Sequence, residues 1–286
     1  MYIERVGVVG CGLMGSGIAE VVARQGRDVV VLDADDGVLA AGRERIAGSL
    51  ANAVRRGKLD ADASERALEA MRFTTDHGAL SDRQLVIEAV TEDEALKTEV
   101  FRRLDEVVEA PDAVLASNTS SIPIMKLAMA TTRPEQVVGL HFFNPVPVLP
   151  LVELVSSLVT SEETTAAAES FATEVLDKHV IRSQDRAGFI VNALLIPYLL
   201  SAIRMLESGF ATAEDIDTGM VQGCAHPMGP LALSDLIGLD TTMAVAVSLY
   251  EEFKEPLYAP PPLLSRMVEA GLLGRKSGRG FHLYGG

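Results

Sequence analysis

The segment VGVVGCGLMG, residues 6–15, joins a short apolar run to three glycines, Gly10, Gly12 and Gly15. The apolar run predicts a buried strand, and glycines at this spacing predict a tight turn that leads directly into a helix. Backbone atoms at such a turn can approach a pyrophosphate, and the first N–H groups of the helix can bind it. The residues expected to bind a dinucleotide here are Gly10, Gly12, Leu13, Met14 and Gly15.

A second apolar run, residues 29–32, ends at Asp33, which lies 18 residues after Gly15. An acidic residue at about this interval accepts hydrogen bonds from ribose hydroxyls in dinucleotide sites. Asp35 and Asp36 add negative charge where the 2′-phosphate of NADP would lie. The sequence therefore predicts NAD rather than NADP as the cofactor.

Composition indicates a globular protein of the cytoplasm. The 286 residues are 48% hydrophobic and 23% charged, which suits one large or two modest domains. A net charge of −15 argues against nucleic-acid binding, which needs a concentrated basic surface. Two cysteines, Cys11 and Cys224, fit a reducing compartment and predict no metal cluster. The charged start, residues 1–5, predicts that no signal peptide precedes the fold.

The longest uncharged segment, residues 187–203, is 17 residues long and so reaches the lower limit for a membrane span. Asn192, Pro197 and Ser201 interrupt its apolar character. We therefore expect a buried or interface helix, kinked at Pro197, and no membrane association.

Apolar runs that alternate with helix-period segments predict a doubly wound, largely parallel α/β sheet of the Rossmann type over residues 1–186. Thr160 and Glu163 stand at capping-box spacing and predict the start of a helix that ends by Leu176. The candidate strands are residues 6–9, 29–32, 85–90, 113–116, 137–140 and 151–155, with a short strand near Val180 and Ile181.

Two regions depart from this alternation. Residues 37–83 are interpreted as a helical-hairpin insertion in the sheet domain, and a basic group, Arg55, Arg56 and Lys58, ends its first helix. By spacing alone, that group fits a solvated helix terminus. After Arg186 only helical patterns occur, so residues 187–286 are predicted to form an all-α C-terminal domain. Its expected helices are residues 189–207, 212–222, 231–238, 241–253 and 263–270.

Polar groups cluster near the ends of three predicted strands, in SNTSS (117–121), HFFNP (141–145) and LVELV (151–155). Open α/β sheets bind ligands outside the carboxyl ends of their strands. Glu153 has aliphatic neighbours, and a buried carboxylate needs a partner, for which His141 is the nearest candidate. A histidine oriented by a carboxylate can take a proton from an alcohol, as NAD-linked oxidation requires. We predict that His141 is this base, paired with Glu153, and that Ser120 binds the reacting oxygen.

Eight motifs follow one another across nearly the whole chain: GCGLMGSGIA, IEAVTED, ASNTSS, GLHFFNPVPVLPLVEL, DRAGFIVNALLIPYL, HPMGPL, GLDTT and GRKSGRGF. With these motifs the chain resembles the 3-hydroxyacyl-CoA dehydrogenases, most closely the short bacterial 3-hydroxybutyryl-CoA dehydrogenases. The resemblance implies NAD-dependent oxidation of an (S)-3-hydroxyacyl-CoA to a 3-ketoacyl-CoA, and a role in fatty-acid metabolism such as β-oxidation. It also implies a homodimer that pairs through its C-terminal helices.

The resemblance implies roles for individual positions as well. His141 matches the catalytic base and Glu153 its acid, while Ser120 and Asn192 match residues that contact substrate. Ser49 and the basic group Arg55, Arg56 and Lys58 occupy the segment that contacts coenzyme A in relatives. Asp93 stands where relatives often have asparagine. The positions implied on the cofactor side are Gly10, Gly12, Gly15, Asp33, Glu88, Asn118, Asn144 and Lys276, although Asn144 also fits a role in bracing the HFFNP turn.

Two other functions are open at this point. A gulonate-type sugar-acid dehydrogenase shares the glycine turn and the His–Glu pair, but such relatives tend to carry HPVNP where this chain has HFFNP. A non-catalytic NAD-binding protein would need the glycines alone. The presence of Ser120, His141, Glu153 and Asn192 argues against the second alternative.

Overall fold

The computed structural model describes residues 2–285, and within them one sheet of eight strands organises the first part of the chain. The strand order is β3-β2-β1-β4-β5-β6-β7-β8, and every neighbouring pair is parallel except β6 and β7, which are antiparallel. The doubly wound, largely parallel sheet is thus confirmed. The strands are β1 (Arg5–Val9), β2 (Asp28–Leu32), β3 (Met71–Thr74), β4 (Leu85–Glu88), β5 (Val114–Ser117), β6 (Val137–Phe142), β7 (Leu151–Ser156) and β8 (His179–Gln184).

Six helices connect these strands and cover the sheet. The central strands are buried along their length, which is why they read as continuous apolar runs rather than as alternating ones. The helices of this part are α1 (Leu13–Arg24), α2 (Asp36–Arg55), α3 (Ala61–Glu69), α4 (Glu94–Val107), α5 (Ile124–Ala128) and α6 (Glu162–Ser170).

The expected helical insertion over residues 37–83 is wrong in its second half. Helices α2 and α3 form the predicted hairpin, but Met71–Thr74 then pairs with β2 as the edge strand β3. Because this strand has a neighbour on one side only, it is short and half-exposed, and only Met71 and Phe73 give it an apolar signal. Such a short alternating pattern is easily lost between helical segments.

The start of α6 also differs from the prediction by one residue. Ser161, not Thr160, is the N-cap, and its hydroxyl accepts a hydrogen bond from the N–H of Thr164 at 3.1 Å. The Thr160 hydroxyl instead donates to the carbonyl of Val137 at 2.8 Å. Thr160 therefore fixes the beginning of β6 and is not available to cap the helix.

The chain divides into two compact units, Met1–Asp185 and Arg186–Gly286. Five α-helices lie in the described residues of the second unit, in agreement with the all-α prediction. Helix α7 buries Ile196, Leu200 and Ile203 in the apolar core of this unit and continues through Pro197. The helices are α7 (Val191–Glu207), α8 (Ala213–Cys224), α9 (Pro230–Ile237), α10 (Leu239–Phe253) and α11 (Pro262–Glu269).

Among residues 2–285, no single helix has both the length and the apolar composition needed to cross a membrane. Only α9 and α10 taken together reach them, and these two helices are bent by 97° relative to each other.

Candidate active site

His141 and Glu153 lie directly opposite each other in the sheet. The antiparallel pairing of β6 and β7 makes them partners in register, and residues opposite each other on neighbouring strands share one face. Nδ1 of His141 is 2.7 Å from Oε2 of Glu153, and both side chains are buried. The pairing expected from the sequence is therefore present, and the antiparallel register is the feature that creates it.

The contact with Glu153 determines which nitrogen of the imidazole can accept a proton. A buried carboxylate accepts hydrogen bonds, so Nδ1 donates its proton to Glu153 and Nε2 keeps a lone pair. Nε2 lies 3.1 Å from Oγ of Ser120, which follows β5 at the same edge of the sheet. Ser120, His141 and Glu153 thus form a connected chain in which Nε2 is oriented as a proton acceptor.

The loop that carries Ser120 is held by Glu92. One carboxylate oxygen of Glu92 accepts hydrogen bonds from the Ser120 N–H at 2.8 Å, the Ser121 N–H at 3.0 Å and the Thr119 hydroxyl at 2.7 Å. The Ser121 hydroxyl donates to the same oxygen at 3.1 Å. Because four donors converge on a single acceptor, the loop has little freedom to move the Ser120 hydroxyl.

A buried lysine, Lys97 of α4, holds this carboxylate in turn. Its ammonium lies 2.6 Å from Glu88 and 3.4 Å from Glu92, and its side chain is only 1% exposed. Glu88 is fully buried, and its second oxygen accepts a hydrogen bond from the hydroxyl of Ser117 at 2.6 Å. Its oxygens are bonded inside the protein, so Glu88 supports the site in this structure, and its contact with a cofactor stays a prediction.

Asn118 connects the ends of two strands. Its side-chain oxygen accepts a hydrogen bond from the N–H of Phe142 at 2.8 Å, so it ties the SNTSS loop to the residue after His141. Asp93 is the N-cap of α4 and accepts a hydrogen bond from the Leu96 N–H at 2.7 Å. Both residues position the site through the backbone.

The glycine turn has the shape that a dinucleotide requires. An added Cβ at Gly12 would meet no atom within 4 Å, whereas one at Gly15 would lie 1.8 Å from the carbonyl oxygen of Gly10. Gly12 therefore leaves open space where a pyrophosphate can approach the backbone, and Gly15 allows α1 to pack on the turn. The N-terminus of α1, which begins at Leu13 and Met14, has no side-chain cap.

Asp33 stands at the end of β2 beside this turn. Its Oδ2 accepts a hydrogen bond from the Cys11 N–H at 2.7 Å, and in the described part of the chain no bond engages its other oxygen. A cavity of about 500 Å³ extends from Asp33 past Val38, Val90 and Leu96. Its size and its apolar walls fit an adenosine group, with Asp33 at the ribose.

Cys11 has a packing role in the turn. Its thiol is buried against Gly42 of α2, where an added Cβ would lie 2.1 Å from the sulfur. Burial, with a smaller contribution from Asp33, raises the pKa of the Cys11 thiol to about 11. The thiol is therefore neutral at physiological pH, and thiolate chemistry is not expected of it.

The candidate coenzyme A residues lie on or directly after α2. Ser49 lines a small cavity together with Asn144 of the HFFNP loop. Arg55, Arg56 and Lys58 are exposed at the C-terminal end of the helix, as expected both for a solvated terminus and for a phosphate contact. Their contact with coenzyme A stays a prediction.

Two further candidates belong to the C-terminal unit. Asn192 is in the first turn of α7, and Lys276 follows α11, where its ammonium forms an ion pair with Asp240 at 2.5 Å. Their roles toward the substrate and the cofactor stay predictions as well.

Comparison with known proteins gives the family. The model for the NAD binding domain of 3-hydroxyacyl-CoA dehydrogenase matches residues 5–186, and the model for the C-terminal domain matches residues 188–284. The chain belongs to the 3-hydroxyacyl-CoA dehydrogenase family. It is therefore an NAD-dependent enzyme, and the fit of the glycine turn and Asp33 to a dinucleotide agrees with that.

Relatives in this family match the chain along its whole length. The 3-hydroxybutyryl-CoA dehydrogenase of Mycobacterium tuberculosis (strain CDC 1551 / Oshkosh) is 64% identical over 282 residues, which are 99% of each chain. The crystal structure of M. tuberculosis FadB2 is also 64% identical, with a TM-score of 0.98 and 100% of both chains covered. The structure of (S)-3-hydroxybutyryl-CoA dehydrogenase from Ralstonia eutropha gives a TM-score of 0.94 at 44% identity and the same coverage.

Two residues of this dehydrogenase, Glu92 and Lys97, were missed at the sequence level. Glu92 lies in the IEAVTED motif, but an acid after a strand has no distinctive pattern by itself. Lys97 reads as an ordinary helix residue, and only the fold shows that it is buried between two carboxylates. The sequence did contain one signal for this pair: Glu92 and Lys97 carry opposite charges and lie on either side of the start of α4.

Proposed function

We propose that this enzyme oxidises (S)-3-hydroxybutyryl-CoA and related short (S)-3-hydroxyacyl-CoA esters to 3-ketoacyl-CoA, and catalyses the reverse reduction. The observation that carries the proposal is the chain Ser120–His141–Glu153, with contacts of 3.1 Å and 2.7 Å. The parallel strands β1, β5 and β6 end at the same edge of the sheet, so this chain and the glycine turn share that edge.

In oxidation, His141 Nε2 takes the proton of the substrate hydroxyl, and Ser120 donates a hydrogen bond to the same oxygen. NAD, when bound, accepts the hydride from carbon 3. Glu153 keeps the imidazole ring oriented and stabilises its positive charge after the proton transfer. In reduction, the charged ring returns the proton to the oxygen of the ketone.

His141 is well suited to both directions. It is buried, so little water competes for its proton, and Glu153 beside it is fully buried. Charge–charge attraction is stronger in such surroundings than in water, which favours formation of the imidazolium during the reaction. Glu92 and Lys97 hold the Ser120 loop, and so they keep the Ser120 hydroxyl in place as the second hydrogen-bond donor.

The names of the relatives support a preference for a C4 acyl chain. The M. tuberculosis and R. eutropha proteins are both named for 3-hydroxybutyryl-CoA. We expect rapid NADH oxidation with acetoacetyl-CoA and lower kcat/KM as the 3-ketoacyl chain is lengthened. Since each methylene changes binding by about 1 to 3 kcal/mol, each added methylene should lower kcat/KM by roughly tenfold or more.

Steady-state kinetics with a series of 3-ketoacyl-CoA esters measures this directly, and a sugar-acid substrate such as L-gulonate is the comparison. Binding of NADH without reduction of any 3-ketoacyl-CoA would contradict the proposal and favour a non-catalytic protein. Faster turnover of L-gulonate than of 3-hydroxybutyryl-CoA would favour the sugar-acid alternative.

We also propose that the enzyme is a homodimer paired through its C-terminal helices. In α7, Leu194 is 74% exposed and Met205 is 42% exposed, and their spacing of 11 residues puts them on one face. Phe210, just after the helix, is 79% exposed. An outward apolar face of this kind is typical of a surface that a partner covers.

Sedimentation is expected to give twice the chain mass of 30.5 kDa. Because a buried unpaired charge is costly, the double variant Leu194→Glu/Met205→Glu should sediment as a monomer. Leu158→Glu, at a position 97% exposed in the N-terminal unit, is the control and should leave the dimer intact. An unchanged mass for the double variant would place the dimer contact elsewhere.

The cellular setting proposed for the enzyme is the cytoplasm, with an acyl-CoA and no nucleic acid as its partner. The support is compositional: both cysteines are free, and the net charge is −15. Cytoplasmic location suits a role in fatty-acid metabolism, including β-oxidation.

A further inference from the structure

A small cavity in the N-terminal unit is lined by a buried acidic residue, Glu20. The cavity has a volume of about 110 Å³ and is bounded by α1, α2 and the HFFNP loop. This volume is below the usual range of ligand pockets, so the cavity fits one group of a larger ligand rather than a whole ligand. Its polar lining consists of Ser16, Glu20, Arg45, Ser49 and Asn144.

Glu20 of α1 is the unusual member. It is only 2% exposed, and its Oε1 has no hydrogen-bond partner in the described chain. The nearest cation, Arg24, is 3.7 Å from that oxygen, which is too far for a hydrogen bond. A buried polar atom without a partner destabilises the fold, and the Glu20 side chain lines the cavity, so a ligand in the cavity is the remaining candidate partner for its carboxyl.

The surroundings of Glu20 favour its neutral form. Burial raises the pKa of the Glu20 carboxyl, while the Ser49 hydroxyl and the Arg24 guanidinium offset part of that effect. Two other cations face this region, Arg45 of α2 and Lys178 after α6, and both are already engaged. Arg45 donates to the carbonyls of Cys11 and Gly12 and to the hydroxyl of Ser16, and Lys178 donates to the carbonyls of Val146 and Leu149.

We propose that protonated Glu20 donates a hydrogen bond to an amide carbonyl of the pantetheine arm of the acyl-CoA substrate, and thereby makes substrate affinity depend on pH. This proposal rests on the proposed function, since it takes the acyl-CoA as the ligand. A carboxylic acid offers one donor and one acceptor, which an amide can satisfy together. Ser49 and Asn144 supply further neutral polar groups at the same wall.

An amide fits this cavity better than a phosphate does. Neither form of Glu20 offers positive charge to a phosphate, and Nη1 of Arg45 already donates to the carbonyls of Cys11 and Gly12 and to the hydroxyl of Ser16. The exposed cations at the end of α2 are better placed to meet phosphates, because they are in water and free of buried partners. The cavity therefore recognises the uncharged part of the coenzyme.

Calorimetric binding tests the proposal on the full chain with saturating NADH. Three non-reacting probes separate the possible sources: butyryl-CoA, butyryl-pantetheine without the nucleotide, and S-ethyl thiobutyrate without amides. The variants are Glu20→Gln, which is neutral at every pH, and Glu44→Gln, which removes an equal charge from the exposed face of α2.

For the wild-type protein and the Glu44→Gln control, affinity for butyryl-CoA and butyryl-pantetheine should fall about threefold to tenfold as the pH rises through the pKa of Glu20. Above the pKa of Glu20, binding should also take up a proton, measured from heats in buffers of different ionisation enthalpy. In Glu20→Gln both the decline and this proton uptake should be absent. With S-ethyl thiobutyrate the wild type and Glu20→Gln should share one pH profile.

Equal pH profiles and proton uptake in the wild type and Glu20→Gln would overturn the proposal, while tight binding of butyryl-CoA would leave the dehydrogenase function intact. An effect seen with butyryl-CoA but not with butyryl-pantetheine would assign the cavity to phosphate and also overturn it. If the wild type bound neither CoA ester nor pantetheine ester at any pH, the acyl-CoA function itself would fail.

Thermal unfolding separates these results from a loss of folding. Because the folded protein binds the Glu20 proton more tightly than the unfolded chain does, the wild type loses stability as pH rises through the pKa of Glu20. Glu20→Gln should therefore melt no lower than the wild type at neutral pH. A lower melting temperature, together with weaker binding of all three probes, would indicate a purely structural role and overturn the proposal.

Discussion

His141→Gln is expected to lower turnover of 3-hydroxybutyryl-CoA and of acetoacetyl-CoA by about a hundredfold or more, with the affinity for NADH nearly unchanged. Glutamine can fill the space of the imidazole and bond to Glu153, but it cannot accept and return a proton. The residue is buried near the end of β6, and its described hydrogen bonds are to Ser120 and Glu153. The loss should therefore fall on kcat rather than on cofactor binding.

The matched control is His179→Gln, which makes the same replacement at an exposed position at the start of β8. Stopped-flow reduction of acetoacetyl-CoA measures the chemical step, and NADH fluorescence measures cofactor affinity. His141→Gln turnover within a few-fold of the wild type would reject the proton-transfer role of His141. Loss of NADH binding in the same variant would mean that the replacement disturbed the sheet.

Glu153 explains why the imidazole and no other base is expected to act here. Its carboxylate fixes the proton on Nδ1, and without it Nε2 would spend part of its time protonated and unable to accept the hydroxyl proton. The same contact makes Glu153 tolerable in the core, because a fully buried carboxylate without a partner would be strongly destabilising. Chemistry and stability therefore depend on one hydrogen bond.

The sequence predicted the His141–Glu153 pair from an inconsistency in a local pattern. Glu153 interrupts an aliphatic run, and an acid in that setting requires a partner. The antiparallel register that places the two residues opposite each other was not predictable, because pairing between strands depends on the whole sheet. The predicted pairing was nevertheless correct, because His141 and Glu153 lie near strand ends that the fold brings together.

Other features could not be derived from local patterns. The edge strand β3 is only four residues long, and it is recognised as a strand only through its pairing with β2. Lys97 is a common residue on a helix, and only its enclosure by Glu88 and Glu92 makes it part of the site. The pairing of β3 and the burial of Lys97 both depend on contacts that the tertiary fold creates. The periodicity of the sequence carries no information about such contacts.

Two alanine substitutions in the glycine turn should affect different properties: Gly15→Ala should lower folding stability, and Gly12→Ala should weaken NADH binding. In Gly15→Ala the new methyl group would lie 1.8 Å from the carbonyl oxygen of Gly10, a backbone atom that cannot move without moving the turn. Alanine in a helix is normally favoured over glycine by about 1 kcal/mol. A clash of this severity outweighs that gain, and we expect a net destabilisation of at least about 2 kcal/mol.

In Gly12→Ala the methyl group would meet no protein atom within 4 Å, and the backbone angles of −70° and −161° are open to alanine. Folding stability should therefore stay within about 0.5 kcal/mol of the wild type. The methyl group would instead occupy the space that the pyrophosphate needs, so the Kd for NADH should rise at least about tenfold, which corresponds to about 1.4 kcal/mol.

Urea unfolding and NADH fluorescence titration on the two variants distinguish these effects. Gly26→Ala is not a suitable control, since Gly26 has a φ of 71° that alanine adopts only with strain, whereas Gly48 of α2 has no atom near an added Cβ and a helical backbone. Gly48→Ala should leave both measurements near wild type. If Gly12→Ala bound NADH as tightly as the wild type, the open space at Gly12 would not be where the pyrophosphate lies, and the dinucleotide would have to approach the sheet by another path.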